Sequence, residues 1–483
     1  MHTTSTQREI GKIALYGVLI LGLGVLATAC SKSPTTTTTK SSGVKIRIWR
    51  TGQSEDALKG AINQFKGKNQ SANLTITYDN RPIETYELDA LKSLAARTGP
   101  DIWSIPNDWL GDHIPRIQPL PDNYFFPFDS KGKRQTTGPT PAEQVKELYP
   151  EGIAEQLTTS TPDGKTSVLG LPTNVDSLRL YYNRELLSSA ATEYQKSLGP
   201  DAKTEVYTPV KQLLNKPPAT WGDVLEMEKY VTKLDGTNVV RSTIAFGTAD
   251  NVSRSADIVS LLILQNGAKV VSTDRKNALF HIPTTSPSGV VVSPGELALD
   301  FYASFSNPSR ESYTWNPSMP QDIDAFGQGR VAMVIAFSDF GDQLKVKYPK
   351  FKFDKAPVPQ NSVTQEPVNL IKFNIETVTK TADNTAATFA FFPYYTAQNS
   401  AASISGQLGL SSPFTQDLIK KKDDPIINQI MTGKSIFKRS RTQFDASFRQ
   451  MIIDVSQNGL TNDKALDAAA ERINVILQAD NQL

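Results

Sequence analysis

Residues 44–49, Val-Lys-Ile-Arg-Ile-Trp, alternate apolar and charged side chains, the period-two pattern of a half-buried strand. Ala57, Leu58, Ala61, Ile62 and Phe65 then recur at helical spacing behind Ser54, a residue type that caps helix starts, and predict a helix over 54–65. A second strand is expected at 74–78. Leu88, Leu91, Leu94 and Ala95 mark a second helix, ended near Gly99-Pro100, because proline stops a helix at the residue before it. Residues 101–105 read as a short buried strand. Strand and helix alternate, which is the βαβαβ arrangement of a parallel sheet.

The alternation continues down the chain. Strands are expected at 178–182, 242–247 and 331–336. Thr220, with Asp223 in the first turn, starts a helix over 221–234. Further helices are predicted at 256–265, ended by Gly267, and at 382–401 and 465–478. Residues 129–151 and 188–218 are rich in Lys, Gly, Pro and Thr and weakly periodic, so they read as insertions. No internal repeat is seen.

The N-terminal pattern differs in kind. Arg8 and Lys12 precede an uncharged 17-residue stretch, 13–29, that ends in Ala27-Thr28-Ala29 and then Cys30, the single cysteine. Basic start, apolar stretch and small residues before a cysteine form an export signal that leaves a cysteine for lipid attachment. The stretch falls just short of the roughly 18 residues that call for a spanning helix; a retained anchor and simple cleavage are the alternatives. Residues 31–43 are a Ser/Thr/Lys tether too poor in apolar side chains to fold. The expectation is an extracytoplasmic protein, lipid-anchored at the cell membrane through Cys30.

Composition narrows the classes. Beyond the tether about 440 residues remain, more than a single core usually serves, so two lobes are expected. Lys plus Arg is 51 and Asp plus Glu is 49, a balance that favours neither nucleic acid nor an acidic surface. One cysteine gives no internal disulfide, and three histidines, His2, His113 and His281, build no Cys/His metal cluster. No metal or cofactor is expected.

Several phrases, in order, resemble one family, the extracellular solute-binding proteins of ABC importers, of the maltose and multi-sugar type. They are Ile46-Arg47-Ile48-Trp49; Gly99-Pro100-Asp101-Ile102-Trp103 with Asn107-Asp108-Trp109; Leu169-Gly170-Leu171-Pro172, then Asp176, then residues 180–187, LYYNRELL; residues 217–221, PPATW; residues 326–333, FGQGRVAM; and Ala356-Pro357-Val358-Pro359. "PPATW" and "YYNRELL" are the more specific, and the shared order covers most of residues 44–400. The resemblance implies an α/β fold of two lobes, the periplasmic-binding-protein fold of type II-like form, with the ligand cleft between lobes joined by hinge crossovers. Carried onto this chain, 1–30 is the signal peptide and 31–43 the tether. Lobe one is 44–174 plus 370–424, and lobe two is 175–369 plus 425–483. The implied function is a receptor, expected to be a monomer, that binds a mono- or oligosaccharide and delivers it to an ABC transporter permease.

A sugar presents hydroxyls at its rim and C–H groups on its faces, so its site needs carboxylates, amides and aromatic rings. The candidates are Trp49 and Gln53 after the first strand, Asn107 and Asp108 after the third, and Asn174 and Asp176 at the first crossover. Ser338 and Asp339 follow the 331–336 strand, and Trp315 is a loop aromatic. Asp108 and Asp176 match family acids; competing structural roles are an N-cap for Asp108, a hinge bond for Asp176 and core packing for Trp49. Asn251 and Arg254 are further donors, while Trp103 and Trp221 read as structural.

Enzyme motifs fail. Gly164-Lys165-Thr166 lacks its partner glycine, since Thr159 stands there. Residues 435–438 match S-x-x-K without S-D-N or K-T-G, and G-x-S-x-G is absent. A secreted carbohydrate-active hydrolase remains the alternative, with Asp108 and Asp176 as its test pair; a receptor for a non-sugar solute and a surface adhesion lipoprotein are the others.

Overall fold

The computed structural model describes residues 43–479 apart from 53–54, 71–72, 128, 131–132, 161–163, 202 and 286–288. The expected signal peptide, Cys30, nearly all of the tether, Ser54 and Gln53 lie outside the described residues. No described helix is long and apolar enough to cross a membrane.

Two sheets organise the chain. In the first, the order is Leu74–Asn80, Val44–Arg50, Ile102–Pro106, Asn374–Thr379 and Ile117–Gln118. The first three strands run parallel, as the βαβαβ pattern requires. The fourth returns antiparallel from far down the chain and is joined on its path by Leu171–Pro172. The second sheet runs Lys233–Asp235, Asn238–Ile244, Val331–Ala336, Arg179–Tyr182 and Asp354–Ala356. Every residue of Val331–Ala336 is buried, because neighbouring strands flank it and packed elements cover both its faces, which is why it reads as an unbroken apolar run.

Each sheet has its own core. One gathers Phe65, Trp103, Ile153, Phe391 and Ile430; the other gathers Tyr181, Trp221, Phe246, Tyr302, Phe326 and Phe448. The helix Pro425–Met431, expected in lobe two, packs Ile427 and Ile430 into the first core. Ile436 and Phe437 belong to the second, so the chain changes lobes near 432–435.

Local chemistry sets the element ends. Thr220 accepts from the Asp223 N–H while the Asp223 carboxylate accepts from the Thr220 N–H, a reciprocal capping box at the start of Trp221–Val231. This helix is shorter than the expected 221–234: Leu234 sits in the strand Lys233–Asp235, and Gly236, at φ +60°, turns it back onto Asn238–Ile244. The expected helix over 382–401 is two helices, Thr385–Tyr395 and Gln398–Gln407; apolar residues all round the first leave no periodic face from which to read the break. Of the expected insertions, 188–218 is largely helical, holding most of Arg184–Ser197 and all of Thr204–Leu214, while 129–151 holds the short helix Pro141–Leu148 behind a Thr140/Glu143 capping box.

Three passages between the lobes lie side by side. Asp176–Ser177 pairs antiparallel with Ile371–Lys372, and Leu370 bridges Lys434 in parallel. The buried Asn369 amide donates to Leu178 O at 2.8 Å and to Gln429 Oε1 at 3.0 Å, locking the ribbon where no water reaches it.

Candidate functional site

In open α/β sheets, ligands sit outside the carboxyl ends of the parallel strands. In lobe one, Val44–Arg50 and Leu74–Asn80 end at a concavity of about 470 Å³ lined by Thr51, Gly52, Asn80, Arg81, Ile83 and Glu84. Asp108 follows Ile102–Pro106. In lobe two, a concavity of about 250 Å³ is lined by Arg254, Asp322, Asp339, Phe340, Gln343 and Lys347. The crossover residue Lys372 lies between Asp108 of lobe one and Phe337 of lobe two. Its Nζ is 4.0 Å from Asp108 Oδ2 and 5.1 Å from the centre of the Phe337 ring.

Asp108 is not an N-cap: Pro106 holds that position for the turn Asn107–Trp109 and Trp109 for the helix Leu110–His113, both without a side-chain cap bond. Its Oδ1 is buried and has no hydrogen-bond partner among the described residues. A carboxylate oxygen left so is costly unless something donates to it. Across the gap, Arg254 donates to Asp339 Oδ2 at 3.0 Å and lies 3.7 Å from Asp257. Burial works against the Arg254 charge, but the carboxylates of Asp257, Asp339 and Asp108 outweigh it and hold its pKa above the ordinary value. Lys438 is wholly buried and likewise raised, since Asp257, Asp445 and Asp108 overcome the desolvation. Asp108 thus contributes to the potential at two cations of lobe two, which brings the walls within electrostatic reach of each other.

The other predicted residues divide sharply. The Asp176 carboxylate is already engaged. Oδ2 accepts from the Ser338 N–H at 2.8 Å and from its hydroxyl at 2.6 Å, while Oδ1 accepts from the Ser177 N–H and from Arg179. Asp176 therefore caps the helix Ser338–Lys347 at the crossover, and Ser338 is spent on the same contact. Asn174 accepts from the Asn374 N–H at 3.2 Å and keeps a buried Nδ2 without a partner among the described residues. Asp339 is exposed and paired with Arg254.

Three readings are corrected. Trp315 does not line a cleft: it is 0% exposed, in the lobe-two core, with Nε1 donating to Asn251 Oδ1 at 3.0 Å. Asn251 is a core bracket rather than a ligand donor, its amide donating to Asn316 O and Met319 O. Asn107 is buried and clamps the second crossover, accepting from the Phe373 N–H on Oδ1 and donating its own N–H to Phe373 O. Trp49 is at the expected strand end, yet it is 6% exposed and the Arg81 guanidinium lies 3.5 Å from its ring centre. Its face is covered by a cation, itself held by Asp79.

Arg81, Asn80, Glu84, Lys372 and Phe337 were missed. Asn80, Arg81 and Glu84 follow a predicted parallel strand directly, so the strand-end rule applied to 74–78 would have found them. Lys372 and Phe337 gave no local signal, since only the crossover ribbon brings them together.

No family model and no curated protein sequence matches the chain. Solved structures do. The sugar-binding protein MalE from the phytopathogen Xanthomonas citri is similar with a TM-score of 0.63 and 16% identity, over 90% of this chain and 97% of that one. A cyclo/maltodextrin-binding protein complexed with maltotetraose is similar with a TM-score of 0.61 and 17% identity, over 92% and 100%. The cyclic alpha-maltosyl-1,6-maltose binding protein from Arthrobacter globiformis is similar with a TM-score of 0.60 and 16% identity, over 91% and 100%. The chain has the two-lobe α/β fold of these sugar-binding proteins. The matches span 90–92% of the chain, so they take in residues of both sheets.

Proposed function

We propose that the protein is an extracytoplasmic solute receptor that binds a neutral carbohydrate between its lobes and delivers it to the permease of an ABC importer, held to the membrane by lipid on Cys30. The observation that carries the reading is the unpartnered Asp108 Oδ1, on a side chain whose other oxygen lies 4.0 Å from Lys372 of the crossover and whose charge acts on Arg254, the lobe-two partner of Asp339. Acceptors and donors in equal measure suit a ring of hydroxyls, each of which both donates and accepts. Names such as maltodextrin-binding protein among similar folds support the class of ligand, and the apolar stretch before Cys30 supports the anchor.

Binding draws the lobes together because the ligand contacts both walls only in the closed arrangement. No bond of the ligand is broken. Of the pair a hydrolase would use, Asp176 has both oxygens committed to the protein, which leaves no second free carboxylate from that pair.

The test is a thermal-shift screen of residues 44–483 against mono- and oligosaccharides. A ligand of the native state raises stability by about 2.7 kcal/mol at 100 times its dissociation constant. A shift with one sugar, recovered intact, supports the receptor; recovery of cleaved sugar, or no shift across the panel, overturns the carbohydrate-receptor reading. Labelled-lipid incorporation that is lost in Cys30→Ser tests the anchor.

A further inference from the structure

The last long helix, Arg441–Ser456, belongs to lobe two: its Phe444, Phe448, Met451 and Ile452 are in that core. Helix starts need an acceptor for their first N–H groups, usually the side chain of the N-cap residue. Here the N-cap is Ser440, and its side chain makes no cap bond. The acceptor comes from the other lobe. Asp112, in the turn after Ile102–Pro106, accepts from the Ser440 N–H at 2.5 Å on Oδ1 and lies 3.4 Å from the Arg441 N on Oδ2.

Three more contacts close on the same point. Arg441 donates to Glu87 Oε2 at 2.7 Å and sits 4.5 Å from the ring centre of Trp109; Glu87 and Trp109 are both lobe-one residues. Gly111 lies so close to the third crossover that a Cβ there would come within 2.1 Å of Lys438 O. Ser440 itself has φ +45°, a left-handed conformation that is strained for a non-glycine residue. The helix start is therefore bent into a strained shape and held there by a carboxylate of the opposite lobe.

We propose that Asp112 and Ser440 form a clasp that sets the balance between lobe arrangements: a cap given in trans that favours the arrangement described here, opposed by the strain stored at Ser440. The idea rests on the two-lobe receptor reading, since a clasp matters only if the lobes move. Rotation of the lobes about the crossover ribbon takes the turn at 111–113 away from residues 440–441, breaks the cap and releases Ser440 to an unstrained conformation. Two opposing local terms of similar size leave the balance responsive to the small differential contacts a ligand makes.

The test needs no ligand, so its failure is separable from failure of the sugar reading. Residues 44–483, which hold no cysteine, receive spin-labelled cysteines at the exposed Lys92 of lobe one and Lys350 of lobe two, and the distance distribution between them is measured. Asp112→Ala is expected to move the ratio of lobe arrangements away from the parent by about fivefold, and Asp112→Asn, which keeps an acceptor, to restore most of it. Ser440→Gly removes the strain and is expected to move the ratio the opposite way by about fivefold. A distribution unchanged in Asp112→Ala, or one that moves in the same direction in both Asp112→Ala and Ser440→Gly, overturns the clasp. If Asp112→Ala does not fold, the Ser440→Gly and Asp112→Asn pair decides alone: a shift in Ser440→Gly with Asp112→Asn close to the parent supports it, and no movement in Ser440→Gly overturns it.

Discussion

The Asp176 carboxylate accepts both the backbone N–H and the hydroxyl of Ser338, at 2.8 and 2.6 Å, and so ties the first crossover to the start of the helix Ser338–Lys347. A residue that resembles a ligand-binding acid is here a fastener between the first crossover and lobe two. Asp176→Ala strips this cap and leaves Arg179, its ion-pair partner, without a carboxylate. The expected result is a fall in stability of about 2–4 kcal/mol together with weaker binding, read by denaturant unfolding and calorimetry on the same sample. Lost affinity with unchanged stability would return Asp176 to the ligand.

Asp108 is the opposite case. Its Oδ1 has no partner among the described residues, so its removal breaks no hydrogen bond there and takes away only its share of the field at Lys372, Arg254 and Lys438. Asp108→Ala is expected to lower affinity for the sugar found by screening by about 10- to 100-fold, two good hydrogen bonds' worth, while the melting temperature moves by no more than about 2 °C. Isothermal titration and calorimetric melting check the two halves. An affinity unchanged within threefold removes Asp108 from the site.

Trp315→Ala should do the reverse. The indole is buried in the lobe-two core and its Nε1 holds Asn251, so truncation costs about 3–5 kcal/mol and leaves the affinity of the folded fraction unchanged. Equilibrium unfolding gives the first number and titration at low temperature the second.

Glu228 predicts a pH dependence. It is a buried carboxyl on the helix Trp221–Val231, and burial pushes its pKa up to about 8 from 4.5. A carboxyl that keeps its proton on folding binds more protons in the native state between those values. The contribution of Glu228 to stability is therefore greatest below about 4.5 and declines as pH rises toward 8. Glu228→Gln keeps the shape without the charge and is expected to raise stability at pH 8 by on the order of 2 kcal/mol, with a much smaller gain at pH 5. Equal gains at both pH values would show that the carboxyl ionises freely in the fold.

A fully buried pair carries a different risk. Arg50 donates to Glu376, and also to Tyr395 Oη at 2.8 Å, with Arg50 and Glu376 both 0% exposed. Glu376→Gln removes the charge that offsets a buried guanidinium, at an expected cost of about 3–5 kcal/mol. The double variant Arg50→Met/Glu376→Gln is expected to recover most of it, because no charge is then left unpaired. Unfolding of the two variants side by side makes the comparison.

Local patterning and apolar runs act within a few residues, so 44–49, 101–105 and 331–336 were legible as strands and their order with the helices was enough for a parallel α/β chain, while two lobes were expected from length and from the family resemblance. The Thr220/Asp223 cap was legible for the same reason, because both partners lie within one turn. Where local signals overlap, the reading went astray: Leu234 continues a helical spacing yet joins a strand, and Arg184–Ser197 was masked by its Ser and Thr content. Charge balance, the single cysteine before the tether and the order of family-like phrases also came from the sequence alone.

The site was decided elsewhere. Asp176 meets Ser338 across 162 positions and Arg441 meets Glu87 across 354, and no local pattern encodes such pairs. Trp315 and Asn251 look like cleft residues because aromatic and amide side chains suit a sugar; whether such a side chain faces a ligand or another side chain depends on which elements close around it. The sequence determined which segments become strands and helices, because those preferences act within a few residues. Only the tertiary structure decided which polar groups satisfy each other and which, like Asp108 Oδ1, find no partner among the described residues, because a buried polar atom's partner is chosen by packing across the whole chain.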